Sequence, residues 1–414
     1  MENRHKIHTE LVRIGGEYSL PRKVWLLVIG MFVNVIGNSF LWPLNTIYMH
    51  DYLGKSLSVA GLVLMANAGA GVVGNLLGGF FFDKIGGYKS IMMGVLISIA
   101  ALVGLVINHT WGPYVVLLTV LGFSGGIIFP SFYAMVGTVW PEGGRRSFNS
   151  IYLAQNVGVA IGPALAGLVV AYVNIDFIFT ANLAFYVLFF FIAFFFYKQM
   201  SIAPEVHTSI LKENTGIKKK APFIALLIVM IGYLLTWLVY SQWATTISTH
   251  ATSVGVTLRQ YSFIWTINGL LIVAGQPLIK PLVRRLENKV KVQILVGLAI
   301  MLISFFVVSF ANTFNVFIVA MIILTFGEMI SWPAFPTLAD QLAPRGKEGF
   351  YQGIVNSSAT VGKMIGPLAG GVLADIYGVQ IALWVLTGLM SLAVIPTLLY
   401  DVPLKRSGYE PKSR

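Results

Sequence analysis

Glu328 and Lys363 are the two ionisable side chains that stand deep inside long apolar runs of this 414-residue chain, and the chemistry they offer is proton exchange. A carboxylate at the middle of an apolar segment is costly unless it is protonated, paired or hydrated. The remaining acids lie in termini, in loops or near the ends of runs. At 1.5 Å per residue, both Glu328 and Lys363 lie about 20 Å from the same side, so the two can meet if their segments are neighbours. A structural ion pair is the alternative to a proton carrier. With no cysteine and six scattered His, the chain offers no thiol nucleophile, disulfide, iron–sulfur ligation or metal-ligand cluster. It carries no phosphate-binding loop, and one Glu with one Lys is not a catalytic constellation. No enzyme, cofactor or metal is expected.

The elements that must hold these two residues are apolar helices. The chain is 57% hydrophobic and 11% charged, which departs from soluble domains. Its apolar residues fall into a dozen runs of the length one bilayer crossing needs. Spans are expected near 24–49, 57–82, 90–108, 112–140, 149–173, 177–197, 222–248, 260–283, 292–311, 314–339, 351–374 and 378–400. Helices rather than a closed barrel are expected, since the runs lack alternation. The first run follows a 23-residue charged segment with no small-residue cleavage site, so it reads as a span and not as a removed signal.

The net charge of +12 has no soluble basic face to act through, which argues against nucleic acid. It reports topology instead. Of the Lys and Arg residues outside spans, counted with Lys280 at the flank of span eight, 25 fall on the side that holds both termini and 2 on the other, which predicts cytoplasmic termini. Domains follow as a cytoplasmic segment 1–23, a six-helix bundle 24–197, a cytoplasmic linker 198–221, a second six-helix bundle 222–400 and a cytoplasmic tail 401–414. The linker run Lys218-Lys219-Lys220 reads as a topogenic tract in contact with membrane lipids.

The halves repeat. Gly158-x-x-x-Gly162-Pro163-x-x-Ala166-Gly167 recurs as Gly362-x-x-x-Gly366-Pro367-x-x-Gly370-Gly371 at an offset of 204. Phe129-Pro130 and Pro141 recur as Trp332-Pro333 and Pro344 at an offset of 203. A packing motif with a proline kink would explain one copy, whereas a duplicated bundle with a central site explains two.

Gly79-x-x-x-Asp83-Lys84-x-Gly86-Gly87-x-Lys89, between spans two and three, resembles the loop signature of the major facilitator superfamily. The Gly158–Gly167 element resembles the motif of that superfamily's drug:proton antiporters, with Ala166 in place of one glycine. Tyr152-x-Ala154-Gln155-Asn156 and Gly327-Glu328-x-x-x-x-Pro333 look like multidrug exporters of the LmrP and MdtH type. The resemblance covers residues 24–400 and implies an all-α membrane fold of twelve transmembrane helices in two pseudo-symmetric bundles. It also implies a monomer in the cell membrane that exports lipophilic or cationic drugs in exchange for protons by alternating access, conferring antibiotic resistance. Asp83 would meet the start of span eleven and latch one closed state. Spans one, four, seven and ten would line the cavity with Asn38, Trp42, Phe129, Tyr133, Tyr240, Trp243 and Trp332; Asn156 joins them from span five. The pattern departs at Leu117–Gly122, where many relatives carry an Arg and this chain has no charge, so the coupling group falls to Glu328 and Lys363. A dedicated exporter or flippase of one metabolite or lipid fits the same motifs; a non-transporting membrane sensor or scaffold is a further alternative.

Overall fold

The computed structural model describes residues 20–41, 44–55, 57–200, 220–286 and 289–409. Trp42 and most of the 198–221 linker, Lys218 and Lys219 included, lie outside the described residues. Twelve helical rods are present among those described, and we label them α1 to α12. The first bundle holds α1 (Arg22–Leu41), α2 (Leu57–Ile85), α3 (Gly87–Ile107), α4 (Trp111–Val139), α5 (Arg145–Tyr172) and α6 (Phe177–Ile192). The second holds α7 (Ala221–Tyr240), α8 (Leu258–Ala274), α9 (Val290–Val308), α10 (Phe314–Ser331), α11 (Glu348–Tyr377) and α12 (Val379–Leu399). Ten helical segments are long and apolar enough to cross a membrane, and α8 with its continuation Gln276–Arg285 makes an eleventh that bends by 55°. The thirty-residue α11 fills the twelfth place. The chain is a multi-pass membrane protein, and its regular structure among the described residues is helical.

The repeat is visible in which helices touch. In the first bundle α1 packs on α5 and α6, α2 on α4, and α3 on α4 and α6. Adding six to each label gives the contacts of the second bundle. The glycine elements explain the first of these pairs. A Cβ at Gly158 would lie 2.9 Å from the Val35 side chain, and one at Gly162 would lie 3.0 Å from the Ile36 carbonyl of α1. In the second bundle a Cβ at Gly362 or Gly366 would lie 2.6 Å from the Leu234 or Leu238 carbonyl of α7. Small residues let these backbones touch, which is how membrane helices gain dispersion contact without a hydrophobic driving force. Gly370 packs on Gln242, while Gly167 and Gly371 face open space.

Three boundaries differ from expectation. The first span was expected to run to 49; α1 is described as far as Leu41, and a short helical turn, Asn45–Ile47, then leads into a π-helical turn at Tyr48–Tyr52. Span eight is bent at Gly275, where Pro277 has no N–H to give the Val273 carbonyl. Span ten breaks after Ser331 and resumes as Ala334–Leu342. Pro333 has no N–H to give the Met329 carbonyl, so the helix cannot continue through it. Its repeat counterpart Pro130 lies inside an unbroken α4.

Candidate functional site

Glu328 lies three residues before the end of α10 and is almost completely buried. Its Oε1 accepts from the Tyr152 hydroxyl at 3.2 Å and from Asn268 Nδ2 at 3.2 Å. Asn268 also donates to Thr325 Oγ1 at 2.9 Å, which fixes its amide. Tyr152 belongs to α5 and Asn268 to α8, so this one oxygen ties the two bundles together. The Tyr240 hydroxyl of α7 faces the same carboxylate. Glu328 Oε2 makes no close hydrogen bond of its own, and the Tyr240 hydroxyl is the donor placed to supply one to this carboxylate. Next to this group, the Tyr133 hydroxyl of α4 donates to Gln155 Oε1 at 2.9 Å.

Lys363 does not pair with Glu328. Its ammonium lies 3.9 Å from the centre of the Trp237 ring, and no carboxylate among the described residues pairs with it. Trp237 in turn stacks on Trp332 at 4.6 Å with the rings 4° from parallel, and Tyr240 meets both edge-on. Equal depth on consecutive spans was a correct condition for contact but an insufficient one, because α11 packs mainly on α2 and α7 and meets span ten mainly at its second half, Ala334–Leu342.

The expected cavity residues divide. Asn38 is exposed on the side of α1 opposite the outward-facing Ile29, so it faces the interior. Tyr240 and Tyr133 flank the Glu328 group, and Trp332 packs on Tyr240. Trp243 instead is fully buried in the second bundle, where its carbonyl accepts from the Tyr261 hydroxyl, so it does not line the cavity. Phe129 packs against the core of the first bundle, and Asn156 turns its amide back to the Tyr152 carbonyl at 2.8 Å. Sequence reasoning missed Asn268 and Trp237. The first was legible only as a polar residue in an apolar run, the second only as one tryptophan among nine.

One end of the molecule is sealed. Asp83, at the end of α2, accepts from the Gly349 and Phe350 amides at 2.7 and 2.9 Å. These are the unpaired first-turn amides of α11, where a helix favours an anion. Gly79 and Gly349 bring the two backbones into contact, since a Cβ on Gly79 would lie 2.7 Å from the Gly349 carbonyl carbon. Gly86, with φ of 87°, turns the chain from α2 straight into α3, a conformation that strains residues with a side chain. Lys84 and Lys89 are exposed, and Lys84 covers the Phe80 ring at 5.5 Å. They take no part in the Asp83 contact.

A second clasp was not anticipated. Arg145, buried at the start of α5, donates through Nη2 to the Met329 and Ile330 carbonyls at 2.9 and 3.0 Å. These are carbonyls at the Pro333 break. An interior proline costs about 3 kcal/mol, and hydrogen bonds to a charged donor contribute about 1.5–3 kcal/mol each, so Arg145 is able to offset the break. The cross-bundle hydrogen bonds described here, those of Asp83, Arg145 and Tyr152 together with Asn75 to Thr360 and Ser357 to the Val72 carbonyl, all lie between this end and mid-helix.

Comparison with known proteins places this geometry. The family model described as Major Facilitator Superfamily matches residues 27–362 and 294–414. The chain is 54% identical over 386 residues to an uncharacterized MFS-type transporter, YttB, of Bacillus subtilis, covering 93% of this chain and 97% of that one. It is 24% identical to the multidrug resistance protein MdtH of Aeromonas hydrophila, covering 91% and 93% of the two chains. Among solved structures, the human organic anion transporter MFSD10 (TETRAN) superposes with a TM-score of 0.73 at 14% identity, covering 91% of this chain and all of that one.

Proposed function

The chain belongs to the Major Facilitator Superfamily, and from that premise we propose that it is a proton-driven exporter of lipophilic small molecules, residing in the cell membrane with both termini in the cytoplasm. One observation carries the reading: a single carboxyl group buried at mid-span accepts hydrogen bonds from helices of both bundles at once. A proton arriving on Glu328 changes what Tyr152 and Asn268 can donate to, and so changes the contact that joins the bundles. In alternating access, the ion must alter the relative stability of two states, and a shared hydrogen-bond acceptor between moving parts does that directly. The aromatic wall of Tyr133, Tyr240 and Trp332 suits flat apolar or cationic compounds. The multidrug resistance name carried by a relative at 24% identity supports drug-like substrates. Asp83 on the first turn of α11 supports a gate role for the Gly79–Lys89 element.

The second reading is a dedicated exporter of one metabolite or lipid, and Lys363 favours it, because an ammonium over the aromatic wall repels a simple cation. Proteoliposomes with an imposed pH gradient test the proposal. Uptake of several unrelated lipophilic dyes that depends on the gradient, and that fails in Glu328→Gln, is the expected result. Gradient-independent uptake sinks it.

A further inference from the structure

Lys363 occupies a position that packing alone does not explain. On α11, Gly349 and Gly353 face α2, and Gly362 and Gly366 face α7. Ile365, Leu368, Val372 and Ile376 form the exposed apolar stripe of the same helix. At 3.6 residues per turn, Lys363 lies about 180° from the centre of that stripe. Its side chain keeps open surface even so. It therefore opens into the space between the bundles, at mid-membrane, rather than towards lipid. An unpaired charge at that depth is costly, and the Trp237 face recovers only part of the cost. The acid at this level, Glu328, is already engaged by Tyr152 and Asn268.

We infer that Lys363 receives an acidic group of the transported molecule, so that the cavity selects amphiphilic anions or zwitterions: a carboxylate or phosphate at Lys363, and an apolar or aromatic body along Tyr240 and Trp332. The inference rests on the reading of this protein as a small-molecule transporter and narrows its substrate class. An acid brings the missing counter-charge to an ammonium already oriented by the indole, whereas a neutral isostere leaves the lysine unpaired. A lipid headgroup and a soluble organic acid share this chemistry.

The test is equilibrium binding to the purified full-length protein, without any pH gradient, of three probes on one dansyl-alkyl scaffold that end in a carboxylate, a primary amide and an amine. The carboxylate is expected to bind about tenfold more tightly than the amide, as a charge-assisted contact implies. Lys363→Gln is expected to bring that ratio close to one, and Lys363→Arg to keep it. Equal affinity for carboxylate and amide in the parent, or an undiminished ratio in Lys363→Gln, overturns the inference. The parent ratio decides even where the variant fails to fold. Displacement of the bound carboxylate probe by phosphatidylglycerol but not by a soluble aromatic acid assigns the acid to a lipid, and the reverse assigns it to a soluble metabolite. Because no gradient enters, loss of proton-driven transport with the ratio intact would remove the proton coupling and leave the anion site.

Discussion

At the scale of single residues, Glu328 is the group with most to lose from substitution. Glu328→Gln keeps the shape and removes the exchangeable proton. Gradient-driven accumulation is expected to fall by at least about tenfold while downhill exchange of substrate persists, since exchange needs no net proton movement; flux measured in both modes in the same vesicles checks it. Asp83→Asn weakens the two amide contacts at the start of α11. At about 1.5–3 kcal/mol for hydrogen bonds to a charged group, the sealed state should lose at least about tenfold in population. Spin-label distances between the ends of α2 and α11 read that directly, and distances identical to the parent's would contradict it. Glu328 was legible from the sequence because a charge in an apolar run is conspicuous whatever the fold. Its partners were not, because Tyr152 and Asn268 reach it across 176 and 60 residues of chain.

At the scale of helices, the glycine elements and the Pro333 break make separate predictions. Gly162→Leu and Gly366→Leu each force a side chain into a backbone contact, α1 against α5 and α7 against α11. Overpacking of this kind costs about 1–3 kcal/mol. Transport should fall even where the protein reaches the membrane, whereas Gly371→Leu, which meets open space, should be tolerated. Dye efflux with matched expression distinguishes them. Arg145→Met leaves the Met329 and Ile330 carbonyls buried without their donor. The loss is about 1–3 kcal/mol, expected as a lowered midpoint of thermal unfolding in detergent; an unchanged midpoint would mean that water or a rewound helix satisfies the carbonyls instead. The sequence treats Pro130 and Pro333 as equivalent members of a repeat, and only the second breaks its helix. What separates them is the residue at the start of the facing helix. Arg145 can donate to the broken turn of span ten, whereas its repeat counterpart Glu348 carries no such donor. A pattern of types and spacings cannot show that difference, because it depends on which element faces which.

At the scale of the molecule, the repeat was readable because each half must bury the same faces, and the contacts of the two bundles match under a shift of six helices. Orientation remains a matter of charge counting. The absence of cysteine makes it testable with single introduced thiols. Lys219→Cys should resist an impermeant maleimide in intact cells and react once they are opened, whereas labelling in intact cells would reverse the assignment. The sealed end is where the architecture bears on turnover. Between α2 and α11 the contact of Gly79 with Gly349 is backbone on backbone, with the Phe82 and Asp83 side chains packed beside it. Closing an interface of long side chains freezes rotamers at a cost of up to about 2 kcal/mol each, and glycine has none to freeze. Such a joint carries little conformational entropy to lose when it forms or to regain when it parts. Its formation and separation would then be governed mainly by the few polar contacts at its rim, Asp83 among them, and the gate proposed here would open and close with little reordering of its own surface.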